Sequence, residues 1–208
     1  MLVLDLIEEL DCALKVLTGA TGYSRPTPAR EGLIQHELSS EDVARSASLM
    51  RVNHTGEVCA QALYSGQKIL ESDVSTREAL AAAASEELDH LKWTAQRLEE
   101  LGTKPSRFNS IFYFGSFGLG VLASLAGKEK SLGFLLETER QVEVHLDQHQ
   151  AELPKSDLAS REIVRQMMID EARHAQSAVK VGAIELPEPI KNVMRVMSKI
   201  MIFISSKG

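Results

Sequence analysis

Apolar positions recur along most of this chain at intervals of three and four, the spacing that turns one face of an α-helix toward a core. No stretch alternates β-branched and polar residues as a half-buried strand requires, so the pattern predicts an all-α chain. A short amphipathic helix over Leu2 to Leu17 leads into a loop from Gly19 to about Ser39, punctuated by Pro26, Pro28 and Gly32 and expected to be mobile. A long helix starts near Ser40, with Glu41 and Asp42 in its positive first turn, and runs to about Ser72. A second opens on Ser75-Thr-Arg-Glu78, the spacing of a capping box, and stops before Gly102 and Pro105. Two more cover Ser131 to Leu153 and Asp157 to Val181, closed by Pro154 and Gly182, and a last helix follows Pro187 and Pro189 from Ile190 to Ile204. Four long amphipathic helices with short or medium connections predict a four-helix bundle with additional short helices packed outside it.

One segment departs from this pattern. From Asn109 to Gly127 there are 19 residues without a charge, near the length of about 20 that spans a bilayer, yet Gly115, Gly118, Gly120 and several polar positions argue against spanning. A helix over Ile111 to Ala126 is expected, either packed against the bundle or membrane-facing as a lid. The length of 208 residues suits a single domain over 1–208, with a core bundle at about 40–182, an N-terminal helix and loop at 1–39 and a C-terminal amphipathic helix at 190–204.

The bundle helices carry a repeated constellation. Glu87-Leu-Asp-His90 and Glu171-Ala-Arg-His174 each place a carboxylate and an imidazole on one helical face. For a chain of this composition roughly 0.6 such pairs arise by chance, so the spacing alone carries little weight. The weight comes from repetition: Glu57 lies 30 residues before Glu87, and Glu139 lies 32 residues before Glu171. A helix with one Glu followed by a helix with Glu-x-x-His, performed twice, is the ligand pattern of di-iron carboxylate bundles. Among the glutamates of the helix over Ser131 to Leu153, Glu139 shares a stripe with Leu132, Leu135, Leu136, Val142 and Leu146, whereas Glu143 lies with Arg140, Asp147 and Gln150. Glu139 is therefore the inward residue, and Glu137 faces away from that stripe.

Four buried glutamates would each cost several kcal/mol or stay protonated, and two divalent ions remove that penalty. Oxygen and imidazole donors suit iron or manganese. Asp170 and Glu86 each precede a ligand glutamate by one residue and are expected to orient His90 and His174 respectively. His54, His145 and His149 read equally as residues near the site or ordinary polar positions. Tyr64 reads as core and Cys59 as packing.

Composition narrows the surroundings. The formal charge of -6 is spread along the chain except for Lys191, Arg195, Lys199 and Lys207 near the end, which argues against a nucleic-acid partner. Only Cys12 and Cys59 occur, so neither a disulfide framework nor a cysteine metal site is expected. The first residues lack the features of a secretion signal or transit peptide, consistent with the cytoplasmic side of a bacterium. In the last helix Met197, Ile200, Met201 and Ile204 accompany Arg195 and Lys199, which suits the surface of an anionic membrane.

Arg51-Val-Asn-His-Thr-Gly-Glu57, Glu86-Glu-Leu-Asp-His90, the Glu139 to His145 spacing and Asp170-Glu-Ala-Arg-His174 together resemble the demethoxyubiquinone hydroxylases of ubiquinone biosynthesis, bacterial type, over roughly Ser40 to Gly182. The resemblance implies a ferritin-like di-iron monooxygenase that hydroxylates a polyprenylated methoxy-methyl-benzoquinol with O2, with NADH as ultimate reductant. Two iron ions would be held, and the catalytic set would be formed, by Glu57, Glu87, His90, Glu139, Glu171 and His174. It further implies peripheral attachment to the cytoplasmic side of the bacterial inner membrane, and assembly as a homo-oligomer or with other ubiquinone-biosynthesis proteins. Some relatives carry His-Tyr where this chain has His145-Leu146, so no electron-transfer role for that tyrosine carries over. The alternative is a ferritin-like metal-binding protein for iron storage or peroxide reduction.

Overall fold

The computed structural model describes residues 2–20, 25–29 and 38–208, with side chains from Ile7 onward; residues 21–24 and 30–37 of the Gly/Pro loop lie outside the described residues. Seven helices and no strand occur among the described residues: α1 (Leu2–Thr18), α2 (Ser40–Lys68), α3 (Val74–Glu100), α4 (Asn109–Leu125), α5 (Lys128–Glu152), α6 (Leu158–Lys180) and α7 (Glu188–Ser205). The hairpins α2–α3 and α5–α6 form the four-helix bundle, and α4 makes the crossover between them.

Side-chain caps fix the starts of the bundle helices. Ser39 accepts from the Asp42 amide at 3.1 Å, and Asp157 accepts from the Ser160 amide at 2.9 Å while also receiving Arg97 Nη2 at 2.9 Å. At α3 the structure corrects the expected capping box. The cap is Asp73, which accepts from the Thr76 amide at 2.9 Å, and Ser75 donates its hydroxyl to the same carboxylate at 2.6 Å. An ionised carboxylate at the positive helix end, further paired with Lys128 at 2.8 Å, outcompetes a serine two residues later.

The core is banded. Met50, Trp93, Leu98, Leu146, Ile163 and Met167 fill one end of the bundle, and Tyr64, Leu80, Leu132, Leu136, Ala175 and Ala178 fill the other. Between these apolar blocks each helix carries its acidic or imidazole residue, so a polar midsection is sealed from both ends. The uncharged helix α4 packs against the bundle, the first of the two expectations for it. Gly66 of α2 and Gly120 of α4 pass so closely that a Cβ on the first would strike the Phe117 carbonyl oxygen, and one on the second the Leu63 carbonyl oxygen. Backbone therefore meets backbone, while Ile111, Phe112, Ser116 and Leu119 turn toward a cavity. No described helix is long and apolar enough to cross a membrane. The outer faces of α4 and α7 nevertheless expose Ile111, Phe114, Leu122, Leu125, Val193, Val196 and Phe203.

Candidate metal centre

The six residues singled out by spacing meet at the middle of the bundle. Glu57 comes from α2, Glu87 and His90 from α3, Glu139 from α5, and Glu171 and His174 from α6; none is more than 6% exposed. They form two overlapping groups, Glu57–Glu87–His90–Glu171 and Glu87–Glu139–Glu171–His174, in each of which one donor atom per residue lies within 4.8 Å of all the others. Glu87 and Glu171 belong to both groups and stand where bridging carboxylates would stand. Each histidine turns Nδ1 inward: His90 Nδ1 is 3.0 Å from Glu87 and 3.4 Å from Glu171, and His174 Nδ1 is 3.1 Å from Glu87 and 3.3 Å from Glu171. Glu171 Oε1 accepts no hydrogen bond among the described residues although it is buried within this cluster. Four carboxylates, two imidazoles and an orphaned inward oxygen fit a pair of divalent metal ions with oxygen and nitrogen preference.

The outward nitrogens are held by the carboxylates expected from adjacency. His90 Nε2 lies 3.0 Å from Asp170 Oδ2, and His174 Nε2 lies 3.2 Å from Glu86 Oε2. This arrangement places the N–H on Nε2 and leaves the Nδ1 lone pair for a ligand. Burial would raise the Asp170 carboxyl, but the His90 and Arg25 hydrogen bonds and charges hold it down at about 2.

Packed this tightly, the ligands share protons. Burial and the neighbouring Glu87 charge push Glu57 well up, and burial and the Glu171 charge do the same to Glu139. Against their own burial, the imidazoles keep Glu87 and Glu171 low. Burial acts to lower both histidines but the carboxylates win, leaving His90 well raised and His174 at about 12. The directions of these shifts favour protons on Glu57, Glu139 and the two imidazoles over protons on Glu87 and Glu171.

Tyr64 is more than core. Its hydroxyl donates to Glu139 Oε1 and sits 3.4 Å from Glu87 Oε1, while burial and the Glu139 charge keep it protonated. Glu137 faces away from the stripe as expected, yet it is buried, because α7 covers it and brings Lys191 to 3.7 Å. Glu143 stays outside the metal-suited groups. The three uncertain histidines separate as follows. Burial lowers His54 to about 4, and its Nδ1 meets Thr94 at 3.1 Å. His149 is lowered to about 3 by burial and by His145, and its Nδ1 donates to Asn53 Oδ1 at 2.6 Å. His145 meets His149 edge-on, with ring centroids 3.9 Å apart and planes 60° apart, and its buried Nε2 has no hydrogen-bond partner among the described residues.

His145 and Glu57 both border a cavity of about 540 Å³ enclosed by α2, α4, α5 and α7. Its wall is largely apolar, with Val52, Leu63, Phe112, Leu119, Phe134 and Met197 prominent, and Asn53, Ser116, Thr138 and Gln141 add polar atoms. Cys59 also lines it, with burial holding its thiol up at about 11, so it acts as packing. Sequence reasoning did not find Arg25. Its guanidinium reaches Asp89 at 2.8 Å and Asp170 at 2.8 Å from the loop before the bundle.

Comparisons with known proteins agree with this architecture. The sequence profile of the family described as "Ubiquinone biosynthesis protein COQ7" matches residues 44–205, reaching into α7 beyond the span of the motifs. The chain is 53% identical over 196 residues to the 3-demethoxyubiquinol 3-hydroxylase of Bordetella petrii, covering 94% of this chain and 87% of that one. It is 49% identical over 201 residues to the protein of the same name from Burkholderia ambifaria, covering 97% of each. Among solved structures, a dodecameric thioferritin, the bacterioferritin-related protein of Bacteroides fragilis, superposes with a TM-score of 0.52 at 15% identity, covering 81% of this chain and 95% of that one, which shows a ferritin-like fold. With a profile match across most of the chain and relatives near half identical over nearly all of it, the chain belongs to the COQ7 family of ubiquinone biosynthesis proteins.

Proposed function

We propose that this chain is an O2-dependent di-iron monooxygenase that hydroxylates the ring of 3-demethoxyubiquinol, with NADH as the ultimate electron donor. The observation that carries the reading is the cavity of about 540 Å³, whose lining includes both the exposed Ile111 and Ile200 and the buried Glu57. Iron held by Glu57, Glu87, His90, Glu139, Glu171 and His174 would supply the oxygen activation that insertion into a ring C–H bond demands. The protein supplies the rest. A volume within the roughly 300–1,000 Å³ of small-molecule sites takes the substituted ring and the first prenyl units, and the remaining chain leaves through the mouth. Apolar walls exclude water, and His145, whose side chain lines the cavity and whose Nε2 lacks a protein partner, would turn that nitrogen toward a ring oxygen. Tyr64 O–H restrains Glu139, while Asp170 and Glu86 fix the two imidazole tautomers.

A polyprenyl substrate resides in the bilayer, so the enzyme must meet it there. Exposed Phe114, Leu122 and Leu125 of α4 and Val193, Val196 and Phe203 of α7 support peripheral docking at the cytoplasmic side of the bacterial inner membrane, aided by Lys199 and Lys207. Partners in a homo-oligomer or with other ubiquinone-biosynthesis proteins belong to the same reading. The test is anaerobic loading with Fe(II), then O2, NADH and a short-chain demethoxyquinone, followed by mass spectrometry. Product heavier by one oxygen atom is expected; two bound irons without such product would leave a storage or peroxide-reducing bundle instead.

A further inference from the structure

The two halves of the cluster are supported from outside by matching relays of imidazole, carboxylate and arginine. On one side His174 Nε2 meets Glu86, and Glu86 receives Arg173; Glu86 and Arg173 are 32% and 50% exposed. On the other, His90 Nε2 meets Asp170, and Asp170 receives Arg25 Nη1 at 2.8 Å; His90 and Asp170 are fully buried. The first relay is built from α3 and α6 alone. The second is closed by a residue from the loop before the bundle, outside the 44–205 span that the family profile matches.

Arg25 is seated for this task by five interactions. Its amide and Nε donate to Asp89 at 3.3 and 2.8 Å, Nη1 donates to Asp170, its carbonyl oxygen accepts Trp93 Nε1 at 3.2 Å, and the guanidinium lies 4.9 Å from the Trp93 ring. Asp89 belongs to α3 and Asp170 to α6, so one planar fork ties together the two helices that carry the Glu-x-x-His pairs. Asp170 Oδ1 accepts from Gln166 at 3.1 Å and from Arg173 at 2.8 Å, whereas Oδ2, the oxygen that faces the imidazole, is shared between Arg25 and His90, so Arg25 is the cation that holds the oxygen bonded to His90. Trp93 also packs against His90, with ring centroids 5.3 Å apart, so the same residue that anchors the Arg25 backbone borders the imidazole.

We propose that Arg25 is a positioning residue for the His90 half of the metal centre: by holding Asp170 Oδ2 against His90 Nε2 it tightens the metal position bounded by Glu57 and His90, while the His174 position keeps Glu86 and Arg173, the latter bonded to Asp170 as well but through Oδ1. This rests on the six residues binding two metal ions. Loss of such a supporting partner typically lowers metal affinity about 10–100-fold. The full chain is titrated anaerobically with Co(II), with bound metal counted by equilibrium dialysis and ligand geometry followed by visible absorption. Wild-type protein is expected to take two equivalents. In Arg25→Gln, one equivalent keeps its affinity within about threefold and the other weakens by about 10–100-fold, with its absorption band altered. Arg25→Lys, which keeps the charge but not the fork, is expected to fold and to show the same unequal loss in smaller degree. It serves as the deciding variant if circular dichroism finds Arg25→Gln unfolded. Equal weakening of both positions, or no weakening, in the folded variant overturns the role of Arg25. Failure of the wild-type chain to bind two equivalents overturns the metal centre itself.

Discussion

Loading the centre with divalent metal should expel protons, and the number follows from the side chains. Without metal, the directions of the shifts favour one proton each on His90 and His174, raised by their carboxylate neighbours, and two more among the four glutamates, on the raised Glu57 and Glu139. In that state the cluster is neutral, with ionised Glu87 and Glu171 balancing the imidazoliums. Metal requires all four carboxylates ionised and both imidazoles neutral, which with two divalent ions is neutral again. Four protons therefore leave per pair of ions. Because these groups have folded-state values above their ordinary ones, they stay protonated as pH falls and oppose loading there; rising pH favours loading. Each proton contributes about 1.36 kcal/mol per pH unit, so four give about 5 kcal/mol, or a factor of about 10⁴ in the product of the two binding constants, per pH unit. Calorimetric titration with Co(II) in buffers of different ionisation enthalpy between pH 6 and 8 reads the proton count directly. Release of two protons or fewer per pair of ions, or affinity independent of pH, would refute this reading of the cluster.

Three further outcomes are expected. Gly120→Ala forces a methyl group into the Leu63 carbonyl and should cost about 1–3 kcal/mol, lowering Tm by roughly 2–12 °C, with an unchanged Tm ruling out the close α2–α4 contact. His145→Leu should leave metal content unchanged and raise KM for the quinol roughly tenfold, the value of about one hydrogen bond; an unaffected KM would remove His145 from substrate binding. The protein should sediment with anionic vesicles at low salt, less at high salt and less again as Phe203→Ser, and indifference to vesicles would exclude docking through α7.

Much of the centre was legible because its residues obey short-range rules. Periodicity located the helices to within a few residues, and the apolar stripe through Leu132, Leu136 and Leu146 separated Glu139 from Glu137 and Glu143. Asp170 and Glu86 were readable because one step along a helix from a ligand turns the side chain toward the neighbouring ligand helix. What escaped depends on contacts between distant segments. Arg25 sits in a loop without periodicity and meets partners 64 and 145 residues away. The Tyr64 hydroxyl reaches Glu139 only through the packing of α2 on α5, and Glu137 is buried only because α7 folds back over α5. Gly66 gave no signal alone, since its role exists only beside Gly120.

The most direct measurement of the proposed activity is a single turnover under ¹⁸O2, with the Fe(II)-loaded protein, NADH and a short-chain demethoxyquinol, and mass spectrometry of the quinone product. One labelled oxygen atom per product is expected, and its loss in Glu139→Gln would tie it to the centre. Product carrying unlabelled oxygen, or labelled product undiminished in Glu139→Gln, would contradict hydroxylation by the four-glutamate, two-histidine cluster.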